Sequence, residues 1–215
     1  MAALATKTFL ATGALGLTSA SGFGIYKGFL EPSTIKDKVL SAHKGVSYSF
    51  LKLGDSNWKS IQDEYAKQGA IDKPVKNGKE VTKEDLPAWC QEAINSYFHE
   101  GETSKFNSVL RWCYVNLNSF EAQATALNKV LLGQKTNDTE TWKTAWNAYK
   151  PYVGDSKWKI TDSSADTNLN GAEEGKGATA LQTWCSSKST IHMYENGAKD
   201  AFLKFEKFCL KDKVN

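Results

Sequence analysis

From residue 31 onward, apolar side chains recur at every third or fourth position between short runs of Gly, Pro, Asn and Asp, a pattern of amphipathic helices joined by turns. Thr34 can cap a short helix reaching about Ala42. Residues 46–51 alternate apolar and polar for a few positions, which suits a short strand or an extended connection. Asp55 or Ser56 then caps a helix whose Trp58, Ile61 and Tyr65 fall at i, i+3 and i+7 and make one apolar face. Residues 67–83 hold Gly69, Pro74, Asn77 and Gly78 and read as a loop. Asp85 with Pro87 opens a helix carrying Trp89, Ala93, Ile94 and Tyr97 along one side, and a return helix carries Phe106, Val109, Leu110 and Cys113.

The same reading continues in the second half. Residues 119–132 predict one helix through Phe120, Ala124, Leu127 and Leu131. Asp138 or Thr139 caps the next, which holds Trp142, Ala145, Trp146 and Tyr149 before Pro151 stops it. Residues 154–177 are rich in Asp, Ser, Asn and Gly and predict a long polar loop, with room for a short strand at 157–161. Residues 181–194 and 198–211 predict a closing pair of helices.

Overlaying the halves exposes a duplication. Trp58 and Tyr65 are seven residues apart, as are Trp142 and Tyr149. Cys90 stands 11 residues before Gly101 and Cys113 stands 12 after it, while Cys185 and Cys209 stand 12 on either side of Gly197. Each first cysteine follows a tryptophan (Trp89, Trp184) and each second one an aromatic residue (Trp112, Phe208). Two helices meeting at a tight turn bring such positions level, because equal numbers of residues rise equal distances from the turn. Landmarks repeated in one order mark a repeated supersecondary unit. The expectation is a mainly α fold of two tandem helical units, each ending in a disulfide-capable helical hairpin, with long polar loops and short strands. The domains are then residues 1–30, an N-terminal apolar anchor or signal segment; 31–116, unit 1; and 117–215, unit 2. Cys90 with Cys113 and Cys185 with Cys209 are disulfide candidates, buried free thiols being the alternative.

Composition narrows the function classes. The chain is of ordinary globular make-up, with 40% hydrophobic and 24% charged residues and a net charge of +3. Arg111 is its only arginine among 27 basic residues, which argues against a nucleic-acid partner, since such interfaces lean on the planar guanidinium fork. The seven tryptophans mostly recur at matched positions and read as core anchors. Between Lys7 and Lys27 the chain carries no charge, a length that suits a membrane anchor. A signal peptide cleaved after small residues such as Ser19 and Ala20, or a plain leader, are the other readings. Lys27, Lys36 and Lys38 weakly favour a cytoplasmic body by the positive-inside rule. Paired cysteines favour the oxidising side of a membrane and carry more weight, because long domains translocate regardless of nearby charge. The expected location is the cell membrane with an extracellular body, or secretion if the segment is cleaved.

Candidate chemistry is sparse. His99-Glu100 begins like a zinc-protease motif, but residue 103 is threonine where the second histidine belongs. No nucleophile elbow, phosphate loop or dinucleotide glycine pattern occurs, so no catalytic residue and no cofactor is assigned. Asp166, Asn168, Asn170 and Gly171 match the first half of a calcium loop, yet Gly177 stands where the bidentate glutamate should be. They remain a weak calcium candidate, with a solvated polar loop as the plainer reading.

Thr34-Ile35-Lys36-Asp37, Trp58 to Tyr65, Ala88-Trp89-Cys90 and Val109-Leu110-Arg111-Trp112-Cys113, behind a Gly- and Ala-rich apolar segment, give the chain a family likeness. It resembles the large families of uncharacterised paralogous proteins in haemotrophic mycoplasmas, more weakly in the second half, where Phe208 replaces tryptophan. The resemblance implies a wall-less bacterium living on red cells and a surface varied by a multigene family. It carries no catalytic residue. The expectation is an anchored, surface-exposed structural or interaction protein, with host surface molecules or antibodies as partners and the membrane as its support. A carbohydrate- or small-ligand-binding module using Trp and Tyr surfaces is the alternative, favoured if Trp146 or Trp158 is exposed beside polar groups. An unidentified hydrolase is the second alternative. The polar loop of residues 154–177 is the expected contact surface, and deletion of residues 161–177 is expected to leave the fold intact.

Overall fold

The computed structural model describes residues 33–133, 138–162 and 166–213, apart from the Asp166 side chain. The apolar segment of residues 1–30 lies outside them. Among the described residues no helix is long and apolar enough to cross a membrane.

The first half runs α1 (Ile35–Ala42), β1 (Tyr48–Phe50), α2 (Trp58–Tyr65), β2 (Val75–Lys76), β3 (Lys79–Glu80), α3 (Leu86–Asn95), α4 (Thr103–Trp112) and β4 (Tyr114–Asn116). The second half runs α5 (Phe120–Ala126), β5 (Lys129–Leu131), α6 (Thr139–Tyr149), α7 (Asp166–Leu169), α8 (Glu174–Lys188), α9 (Ala198–Cys209) and β6 (Leu210–Asp212). The fold is mainly α, and among the described residues the strands form three antiparallel pairs: β1 with β4, β2 with β3, and β5 with β6.

Local chemistry explains the starts and turns. Thr34 and Asp37 form a reciprocal capping box on α1, each side chain accepting the other's backbone N–H at 3.1 Å. The Thr34 hydroxyl, donating to the Asp37 carboxylate at 2.6 Å, and the Thr34 N–H hold that carboxyl below its usual pKa. Asn77 and Gly78 both take positive φ, 53° and 74°, which is the hairpin turn that β2 and β3 require. Asp138 caps α6 by accepting the Thr141 N–H.

The duplication is written in matched hydrogen bonds. Ile35 N–H donates to Ser96 and Phe120 N–H to Ile191; Phe98 N–H donates to Ser33 and Met193 N–H to Asn118. Leu51 N–H donates to Cys113 and Leu132 N–H to Cys209. Tyr65 meets Trp112 edge-on at 4.9 Å, and Tyr149 meets Phe208 edge-on at 5.0 Å. Both cysteine pairs are bonded, with α-carbons 5.5 Å apart for Cys90–Cys113 and 5.6 Å for Cys185–Cys209. Each joins the first helix of a hairpin to the end of the return helix, past the positive-φ turn glycines Gly101 and Gly197. Trp58, Trp142, Trp89 and Trp184 are all buried. One apolar core gathers Ile35 to Val115 and a second Phe120 to Cys209, so each half buries its own face.

Several expected boundaries differ. The helix over residues 119–132 splits into α5 and β5, because Asn128 adopts φ 59° and the following residues pair with β6. The expected strand at 157–161 is a turn: Asp155 takes the N–H groups of Lys157 and Lys159, and the Tyr149 hydroxyl takes that of Ile160, leaving no ladder partners. The helix expected at 181–194 is α8, starting at Glu174 and ending at Lys188. Beyond it, the carbonyls of Ser189 and Ile191 receive the first N–H groups of α5.

Candidate functional site

The polar loop between α6 and α8 is stitched into the second core. Ile160 and Leu169 are buried, Leu169 completely at 0% exposure. Trp146 on α6 is buried too, and its indole N–H donates to the Leu169 carbonyl at 2.8 Å. Gly177 presses on the Trp146 ring so closely that a β-carbon there would overlap it. The loop carries a structural load, and the expectation of a removable contact surface is corrected on that ground.

The calcium candidate fares similarly. Asp166, Asn168 and Asn170 fall on and just after the helical turn α7, and positions two apart on a helix do not face one another. Asn168 is exposed. Asn170 works inside the loop: its Oδ1 accepts the Tyr149 hydroxyl at 2.5 Å, and its Nδ2 donates to the Ile160 carbonyl at 2.9 Å. Its amide therefore ties the loop to α6. Among the described residues no group of three His, Cys, Asp or Glu side chains is placed to hold a metal ion. His99 and Glu100 sit exposed on the turn between α3 and α4. Trp158 is half-buried, with the Lys207 ammonium 4.1 Å and the Lys157 ammonium 5.0 Å from its ring centre.

The best-formed site is the joint between the halves. The turn after α8 carries Tyr194, which packs on the first core with its phenol beside Ser60 of α2. Arg111 of α4 donates from Nη1 to the Tyr194 carbonyl at 2.8 Å and lies over the Trp112 ring at 4.1 Å. Glu64 of α2, only 3% exposed, accepts the Asn196 N–H at 2.7 Å and has Arg111 Nη2 at 3.7 Å and Lys67 Nζ at 2.6 Å. Burial pushes the Arg111 guanidinium below its ordinary pKa, with Glu64 pulling the other way. The bond to Glu64 raises the Lys67 ammonium, and burial raises the Tyr194 phenol.

Beside this clamp opens a cleft of about 760 Å³, with Tyr48, Tyr114, Ile71, Arg111 and Tyr194 among its walls. Tyr48 and Tyr114 stack at 5.6 Å, and burial raises the Tyr48 phenol. The cleft offers three tyrosine rings, with Arg111, Lys44 and Lys199 as cations and Glu195 and Asp200 as carboxylates, a lining suited to a small polar molecule. No family model, curated protein or solved structure matches this chain. The sequence reading missed this joint. Its signal was Glu64, a carboxylate three residues after Ile61 on the apolar stripe of α2.

Proposed function

We propose that the chain is a surface-exposed structural or interaction protein, held at the membrane through residues 1–30 with its helical units on the oxidising side. It would belong with the paralogous surface families of haemotrophic mycoplasmas that it resembles, and would meet host surface molecules or antibodies. The observation that carries this is the bonding of both cysteine pairs, since disulfides form and persist outside the reducing cytosol. The experiment is protease shaving of intact cells under thiol block, followed by mass spectrometry without reduction. Cross-linked peptides holding Cys90 with Cys113 and Cys185 with Cys209, released before lysis, support the reading. Free thiols, or peptides released only after lysis, overturn it.

A second reading, a small-ligand module, is favoured by the tyrosine-lined cleft beside Arg111. The two tryptophans first considered for that role do not offer a free face: Trp146 is buried, and Lys207 covers Trp158. A glycan and metabolite screen by tryptophan fluorescence, repeated on Tyr48→Ala, tests it. Saturable binding lost in the variant supports the module, and no binding in the screen removes it.

A further inference from the structure

The socket that receives Tyr194 has a counterpart in the second half, and no described residue covers that counterpart. Counting from the matched tryptophans and cysteines, Thr144, Ala148 and Lys207 hold the positions of Ser60, Glu64 and Arg111. In the first half, Glu64 is buried because the turn carrying Tyr194 lies over it. In the second, Thr144, Ala148 and Lys207 are exposed and line a shallow groove of about 450 Å³ floored by Leu132 and Phe208.

The matching plug is exposed as well. Tyr194 follows Met193, whose N–H bonds Asn118; His99 follows Phe98, whose N–H bonds Ser33 in the same way. His99-Glu100 therefore stands in the first half where Tyr194-Glu195 stands in the second. Both residues project on an open turn, beside Tyr97 at 55% exposure. Nothing in the described residues covers this turn, whereas its counterpart is clamped. Among the described residues, the plug of the second half fills the socket of the first, leaving one plug and one socket over.

We propose that a second copy of this chain fills the vacant socket: the turn of residues 97–101 of one copy docks on the α6–α9 groove of the next. The charges suit it. Glu100 would bring a carboxylate to the groove that carries the exposed Lys207, whose other charged wall residue, Glu140, is already paired with Lys143 at 2.8 Å. Lys207 supplies the cationic donor that Arg111 supplies to the Tyr194 carbonyl. The carboxylate of Glu64 has no equivalent, Ala148 standing in its place, so this contact is weaker than the internal one. Plug and socket are different surfaces, so the association is heterologous and does not close on itself: copies add head to tail.

The test uses the full chain with a photo-crosslinking phenylalanine analogue at position 99. Irradiation gives dimers and higher oligomers whose cross-linked peptides map to the segment holding Thr144 and Ala148 or to that holding Lys207. Ala148→Arg, a change at an exposed helical position that leaves the fold intact, lowers the cross-link yield about tenfold, the equivalent of about 1.4 kcal/mol. Association through residues 1–30 is insensitive to Ala148→Arg and maps elsewhere. Cross-links mapping only elsewhere, a yield unchanged in Ala148→Arg, or monomer at every concentration each overturn the proposal.

Discussion

Removing one disulfide is the sharpest test of the duplicated frame, because the two bonds should cost nearly the same to lose. Cys90–Cys113 closes a separation of 23 residues and Cys185–Cys209 one of 24. Loop-closure entropy at those lengths amounts to about 3.4 kcal/mol at 25 °C for each bond. Replacing either pair by alanine should lower the melting temperature by roughly 7–14 °C, at about 2–4 °C per kcal/mol for a chain of this size. All four cysteines are buried, so alanine also leaves a void and the upper part of that range is expected. The fourfold variant loses about 7 kcal/mol, comparable to the whole stability of an ordinary domain, and should be largely unfolded at 37 °C. Circular-dichroism melts of the oxidised variants, with free thiols titrated in parallel, make the measurement. A drop below about 2 °C would show that the bonds do not constrain the unfolded chain. A large drop for one pair and none for the other would refute the mechanical equivalence of the units.

Further expectations follow from the loop, the joint and a buried phenol. Deleting residues 161–177 should unfold the second half, and Leu169→Ala alone should cost about 2–5 kcal/mol in urea titration; a folded deletion variant with an unchanged melt would show the loop to be dispensable. Glu64→Ala strands the Arg111 charge and the Asn196 N–H and should cost about 3 kcal/mol, whereas Glu64→Gln keeps the acceptor and costs less; equal losses would refute the role of the carboxylate charge. The Tyr65 phenol donates to the Val81 carbonyl at 2.5 Å, and burial pushes its pKa up to about 12. The unfolded chain gives up that proton first, so stability complete below pH ~10 falls as pH rises toward 12. Tyr65→Phe should flatten part of that fall in urea midpoints taken at pH 9 and 11, and an unchanged slope would sink the assignment.

Much of the frame was legible because its signals are local or repeated. Thr34 with Asp37 is a capping box by spacing alone, and the cysteine spacing about Gly101 and Gly197 needs only the rise of a helix to imply pairing. What escaped depends on partners distant in sequence. Leu131 fits a helical stripe, yet its backbone pairs with Leu210, nearly eighty residues away. Gly175 and Gly177 argue against a helix start by propensity, but the Trp146 indole leaves no room for a side chain at residue 177. Asn168 and Asn170 spell half a calcium loop; only the contacts with Tyr149 and Ile160 reveal the Asn170 amide as a brace.

The single arginine brings the two kinds of information together. In a chain whose other basic residues are all lysine, Arg111 sits where one side chain must serve the Tyr194 carbonyl, face the Glu64 carboxylate and lie flat on Trp112. A planar fork with several fixed donors can do all three at once, and it is more weakly hydrated than an ammonium, so half-burial costs it less. Lys207, at the same place in the second half, faces solvent and rests on Tyr152 and Trp158 at 4.0 and 4.1 Å, a task an ammonium performs with one contact surface. The duplicated units thus diverge where one is covered and the other open. Arginine, glutamate and a buried turn go together at the joint; lysine, alanine and an empty groove go together at the outer face. Converting the outer face with Ala148→Glu and Lys207→Arg would place a carboxylate and a guanidinium where the joint has its own, but on Phe208 instead of Trp112 and with Pro151 in place of Lys67, so the charged pair is one part of what separates the two sockets.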